Sequence, residues 1–523
     1  MRNHLLLLFL VLLYMITVSP ARGQTFGPAV PVDTTTPGVI FQWAPSIAVD
    51  RDGNIGVVWV NQISGNYVVM FAKSTDRGQT WQKTIVEDSP LWGPDDARYN
   101  PALAFDMQND PWVVWQYYQY LYTTITDVAH SLDGGESFTH VFWKDSFTFN
   151  VRSIAVDEDN NVYIPWRLEG LKCITFPEGL PSNWTSAQIS TPGLAPDWFP
   201  VFSTKGRDTV YVAFRADSIN HVQPHLIYFS YSIDTGQHFS EPIILSLDPL
   251  QGISNTTVFP AIAVDEENVI YVAWPEPKMG DYDIYLSKSL DGGTSFLPEK
   301  RINDVVEGKQ SWVYMTYKPN LGLCVAYLDL GSSAEKPNDK GPEYLHKSIQ
   351  AGDIYFTRST DGGDTFSESV LVTDSTFQQY DQWVWGITAD DSGNVYVVST
   401  DYRYGTSLVF VSKATFDITS IPNEQPDMRI PETFFLSQNY PNPFNAKTTI
   451  EFSVPAETFV TLNVYNILGE KVRTLVKASV PHGRHQVVWN GKNAAGDLVS
   501  SGVYLYKLET PHTAIMRKLV LLR

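Results

Sequence analysis

Cysteine is nearly absent. The 523 residues hold only Cys173 and Cys324, too few and too far apart in sequence for a disulfide framework. Both read as buried apolar fillers, with a single bridge as the alternative. Basic residues are scarce too, 37 against 57 acidic for a formal charge of −20, so the chain repels a phosphate backbone and nucleic acid is excluded as a partner. After residue 23 no run is long and apolar enough to cross a bilayer as a helix. Before it, Arg2, the apolar run from Leu5 to Val18 and the small residues around Ala21 and Gly23 read as an export signal over residues 1–23. Metal and cofactor motifs are lacking. The runs 50-DRDGN-54, 157-DEDNN-161 and 390-DDSGN-394 begin like calcium loops, but they lack the spaced later ligands and terminal Glu and read as hairpin turns.

Aromatics are abundant, at 13%, as are Gly (34) and Pro (33), a mixture that suits many short strands joined by tight turns. One turn recurs as 74-STDRGQTW-81, 131-SLDGGESF-138, 232-SIDTGQHF-239, 289-SLDGGTSF-296 and 359-STDGGDTF-366. Its spacing leaves room for a decayed copy near 176-FPEGLPSNW-184. A second pattern couples an apolar strand, an Asp-rich turn and a β-rich strand, as in 46-SIAVDRDGNIGVVWV-60 and 261-AIAVDEENVIYVAWP-275, and it occurs seven times. Repeats of about 50 residues with four short strands each predict a seven-bladed β-propeller, all-β, over residues 24–419. The seventh unit lacks a fourth strand, which Phe26 to Asp33 can supply, closing the ring and removing an open edge.

In the recurring turn the Asp carboxylate and Ser or Thr hydroxyl can accept backbone N–H groups, the Gly tolerates φ > 0, and the aromatic fills a gap between strands. Asp76, Asp133, Asp234, Asp291 and Asp361 therefore read as structural. These runs resemble the Asp boxes, or BNR repeats, of the sialidase superfamily, over roughly residues 26–415. The resemblance implies a propeller whose boxes join third and fourth strands, away from the active site, with six blades as the alternative count. For a sialidase it implies three arginines on the substrate carboxylate, a Tyr nucleophile with a Glu partner and an Asp acid/base. The family's first arginine stands in an F/Y-R-I-P run, whereas here 43-WAPS-46 has none.

The opposite end of the ring, where first strands start and second strands stop, carries the candidate site. Its carboxylate-binding pool is Arg98, Arg152, Arg167, Arg215 and Arg403, with Trp43, Trp198, Trp312 and Trp383 as stacking faces. If the chain is catalytic, Tyr402 or Tyr380 is the nucleophile, Glu276 or Glu169 its partner, and Asp95 or Asp96 the acid. Ordinary rim salt bridges are the alternative for all of these. The long insertion 329–353, with Tyr344, His346 and Lys347, reads as a lid or as disorder.

Residues 420–433 read as a linker, and 434–523 as a small immunoglobulin-like β-sandwich. Its landmarks, 438-QNYPNPFNAKTTI-450, 466-NILGEKVRTL-475 and 517-RKLVLLR-523, resemble the type A sorting domain of the type IX secretion system. That resemblance implies export across an outer membrane to the cell surface or medium, with the secretion machinery as a partner of 434–523. Two functions follow as expectations: a surface module recognising a glycan, glycoprotein or other protein ligand, and an exo-sialidase or related glycoside hydrolase.

Overall fold

The computed structural model describes residues 25–418 and 434–522, apart from 37, 64, 90–96, 120–122, 147–152, 168–169, 191–193, 219–225, 247–258, 279–280, 306–307, 332–351, 374–381, 437–438, 440–443, 445–446, 456–457, 482 and 512. The segments expected to be signal, linker and lid insertion lie outside these residues almost entirely.

Between residues 30 and 415 the strands form seven four-stranded antiparallel sheets. The first sheet shows the plan, with strands Val39–Val49, Ile55–Ile63, Asn66–Ser74 and Gln82–Glu87 side by side in chain order. First strands of successive sheets touch in turn, and Gln382–Ala389 of the seventh sheet touches Val39–Val49 of the first, so the sheets form a closed ring. Each neighbouring pair of sheets shares its own apolar cluster. Because side chains alternate along a strand, Val57 and Trp59 face the seventh sheet while Val58 faces the second. Both faces are dry, which is why second strands read as unbroken apolar runs.

The seventh sheet is completed from the other end of the chain. Its order is Val30–Pro31, Leu408–Thr415, Asn394–Asp401, Gln382–Ala389, with Val30 opposite Val411 and Pro31 opposite Phe410. The ladder is shorter than the expected Phe26–Asp33 because Pro28 and Pro31 offer no N–H. The flanking bonds Gly27 N–H to Lys413 C=O (2.8 Å) and Val32 N–H to Val409 C=O (2.9 Å) extend it.

First-to-second and third-to-fourth connections lie at one end of the ring, here the rim. The other connections lie at the mouth. All five Ser-x-Asp turns join third to fourth strands. In the first, the Ser74 hydroxyl accepts Gly78 N–H (2.8 Å) and donates to Asp76 (2.8 Å), whose carboxylate also accepts Thr80 N–H (2.9 Å) and its hydroxyl (2.6 Å). The other four repeat it around Asp133, Asp234, Asp291 and Asp361, with His238 Nδ1 replacing a hydroxyl. These bonds pull Asp76 down to about 2. The closing aromatic reaches back to the preceding sheet, as Phe138 does on Phe71 (5.3 Å) and Phe296 on Phe229 (4.8 Å). At 176–184 two short 3-10 turns take the same place.

The other rim turns are built on Asp50, Asp106, Asp157, Asp265 and Asp390. Asp50 accepts the Asp52 and Asn54 N–H groups at 3.0 and 2.8 Å. Their fourth position is left-handed and is filled by Gly53, Asn109, Asn160, Asn268 or Gly393. Asn serves a second purpose there, since Asn109 accepts Arg51 N–H (3.0 Å) and Asn160 accepts Met107 N–H (2.9 Å), latching each sheet to the one before.

Residues 434–522 form a separate β-sandwich of two sheets. Phe435–Leu436, Thr448–Val454 and Gly483–Trp489 make one, and Lys471–Val480, Thr458–Asn466, Gly502–Glu509 and Ala514–Leu521 the other. Alternating Ile450, Phe452, Val454 and Val460, Leu462, Val464 point inward with Trp489 and Tyr506. Both cysteines, Cys173 and Cys324, are free and buried.

Candidate functional site

The first strands bulge as they leave the mouth. Register shifts occur between Trp43 and Ser46, Tyr99 and Ala102, Trp198 and Val201, Ser311 and Tyr314, and Val384 and Gly386. Ala44, Asn100 and Trp312 take left-handed φ of 47°, 49° and 50° at these bulges. A β-bulge re-aims the side chains beside it, and non-glycine residues at such φ carry strain of about 1 kcal/mol or more. The sequence signal is an aromatic two residues before Pro, in 43-WAP-45, 99-YNP-101 and 198-WFP-200, where Pro gives up a ladder donor. That pattern was not among the expectations.

The bulges gather aromatic rings at the mouth. Trp43 lies 4.9 Å from Tyr99 and 5.9 Å from Tyr67, Trp312 lies 4.8 Å from Phe259 and 5.3 Å from Trp385, and Trp383 lies 5.8 Å from Tyr402. Trp43, Trp312 and Trp383 are 9%, 2% and 8% exposed, so they back the collar rather than present a face. Half-buried Tyr99, Trp385 and Tyr402 present the open surface. Trp385, which the expectations passed over, packs against three clusters, those of the sixth and seventh, seventh and first, and first and second sheets. Its Nε1 donates to Thr400 Oγ1 (2.8 Å). Two enclosed donors behind the collar, Trp43 Nε1 and Asn61 Nδ2, meet no acceptor among the described residues.

Two of the five arginines expected to grip a carboxylate, Arg98 and Arg403, are committed to protein carboxylates. Arg98 is buried and binds Glu87 (3.1 Å), Ser89 C=O (2.9 Å) and Tyr67 C=O, all in the preceding sheet. Glu87 also takes His140 Nε2 (2.5 Å), whose Nδ1 lies 3.2 Å from Asp127. Burial pushes the Glu87 carboxyl up, but bonds from His140 and Ser89 and the charge of Arg98 outweigh it and hold it at about 2. Bonds to Asp127 and Glu87 raise His140 to about 10 against the opposing effect of burial. Arg403 pairs with Asp401 through Nε (2.7 Å) and lies 4.3 Å over Phe410. Burial raises Asp401 above its ordinary range even so. Arg215 is fully buried, and Arg167 is half-buried at the end of its strand.

Glu276 is also fully buried and accepts Trp274 Nε1 (3.0 Å). Tyr402 sits at the mouth beside Trp383. Tyr380, Glu169, Asp95, Asp96 and Arg152 lie outside the described residues, as does the side chain of Trp198.

A family model described as FlgD Ig-like domain matches residues 443–513. No curated protein matches the chain. Among solved structures the chain is similar to a protein of unknown function from Dyadobacter fermentans (12% identity, 76% of this chain and 100% of that one, TM-score 0.48). It is also similar to a Penicillium chrysogenum α-L-arabinanase complexed with arabinobiose (12%, 76% and 98%, TM-score 0.42). A third is the Hadza microbial sialidase Hz136 (12%, 74% and 68%, TM-score 0.43). The propeller fold rests on the sheet order and ring contacts given above.

Proposed function

We infer that the chain is an exported glycan-binding propeller whose ligand enters the aromatic mouth. The observation that carries this reading is the collar of Tyr99, Trp385 and Tyr402, backed by buried tryptophans. Aromatic faces stack on sugar C–H groups, which suits a ring-lined mouth to a glycan. Arginines tied to Glu87 and Asp401 favour a neutral, hydroxyl-rich glycan over a sialic acid carboxylate. Binding rather than hydrolysis is therefore the function proposed.

Export through a type IX system by way of residues 434–523 is part of the same proposal. The match at 443–513 and a change of charge support a separately handled module, since 434–523 hold 10 basic and 5 acidic residues while 24–433 hold 25 and 52.

The test is a glycan array probed with the full chain, run beside a fluorogenic sialoside. Binding of neutral glycans, weakened by Tyr99→Ala and without fluorophore release, is expected. Release that disappears in Tyr402→Phe would establish the hydrolase instead.

A further inference from the structure

A cleft of about 580 Å³ opens at the seam where the chain ends meet, apart from the aromatic collar. It lies between two mouth-side connections, residues 32–38, which lead from the closing strand to the first sheet, and 402–407 of the seventh sheet. Its size falls within the range of small-molecule sites. Pro31, Val39 and Leu408 give it apolar walls, and the exposed Thr34 and half-buried Thr36 give it hydroxyls, while the amide of Gln42 beneath them is buried and bonded to Val409 N–H and Asp33 C=O. Tyr404 stands over it, 64% exposed, with its ring roughly parallel to that of Phe410 (6.2 Å, 21°).

The cleft offers no uncompensated charge. Its one carboxylate, Asp33, is bound by Lys83 (2.6 Å), Thr35 N–H (3.0 Å) and Thr36. An anion would meet that carboxylate, and a cation would compete with Lys83. Threonine hydroxyls, aliphatic walls and an exposed aromatic face together match a neutral sugar ring, whose C–H face stacks while its edges hydrogen-bond.

We propose that this seam cleft is a second saccharide subsite, taking a neutral sugar unit between Tyr404 and the Thr34–Thr36 segment. The proposal rests on the glycan-binding reading of the chain and adds a place that the collar does not occupy. Its ligand would touch the N-terminal segment, the first sheet and the seventh sheet at once. It would therefore bind only the closed ring and stabilise it by mass action.

The experiment uses the full chain with arabinan, xylan and β-glucan tetrasaccharides as probes, reading Kd by calorimetry and the shift in melting temperature. Four proteins are compared: wild type, Tyr404→Ala, Thr34→Trp, which fills the cleft from an exposed position, and Tyr99→Ala at the collar. At least tenfold weaker binding in both seam variants, with loss of the thermal shift, is expected. Near-native melting temperatures without ligand show that the variants fold. Weakening confined to Tyr99→Ala overturns the seam subsite and leaves the collar reading standing, and weakening confined to the seam pair does the reverse. If no tetrasaccharide binds wild type, both are overturned.

Discussion

Gln42 holds the ring shut, and its removal has a calculable cost. Its backbone N–H donates to Ser407 C=O (2.9 Å) and its C=O accepts the Ser407 hydroxyl (2.8 Å). Its side-chain Oε1 accepts Val409 N–H (2.8 Å) and its Nε2 donates to Asp33 C=O (3.2 Å). Gln42→Met keeps the length and burial of the side chain but loses both amide bonds. Val409 N–H, on a fully buried residue, and the C=O of buried Asp33 then lose these partners. Each orphaned group costs about 1–3 kcal/mol, and the longer bond counts for less, so the variant should lose about 2–4 kcal/mol of local stability. Gln42→Ala adds a cavity and should lose more. Because the damage is at the seam, amides in 25–33 and 408–412 should exchange about 30- to 1000-fold faster, while those of the fourth sheet stay unchanged. Hydrogen exchange by mass spectrometry and the urea midpoint measure both effects. A Gln42→Met protein with unchanged seam exchange and an unfolding free energy from the urea melt within about 0.5 kcal/mol of wild type would refute the reasoning.

Other consequences are equally direct. Gly135 sits at φ 100°, and a Cβ there would meet the Phe71 ring at 2.3 Å, so Gly135→Ala should cost about 2 kcal/mol or more in a urea melt through strain and overpacking. Asn160→Gly should cost about 1 kcal/mol by losing the latch to Met107 N–H, and Asn160→Ala more because φ there is 63°. His140 is raised from 6.5 to about 10, so its contribution to stability is complete below pH 6.5 and is lost as pH climbs through 10. Glu87 is lowered from 4.5 to about 2, so its contribution is complete above pH 4.5 and is lost as pH falls through 2. His140→Gln should therefore flatten the dependence of the urea midpoint on pH between 6.5 and 10.

The repeat was legible because each unit reuses the same local chemistry. Ser74 with Asp76, or Asp50 with Asn54, closes its turn within a few residues, so the sequence carries both partners side by side. The N-terminal strand was legible as the element missing from the seventh unit, although its two prolines shorten the ladder. The site was less legible, because its chemistry is settled between sheets. Arg98 reads as an available guanidinium until Glu87, Ser89 and Tyr67 of the preceding sheet are seen around it. Trp385 reads as one more strand aromatic, and only the bulge beside it sends the ring among three clusters. The Asn at the left-handed rim position was read as turn chemistry alone, and its latch appears only once two sheets stand side by side.

A crystal structure of the chain with a glycan selected from the array tests the account most directly. The account predicts a sugar ring stacked at the mouth on Tyr99, Trp385 or Tyr402, with the Ser-x-Asp turns unoccupied. A glycan seated on the rim that carries Asp76 and Asp133, with the mouth empty, would contradict it.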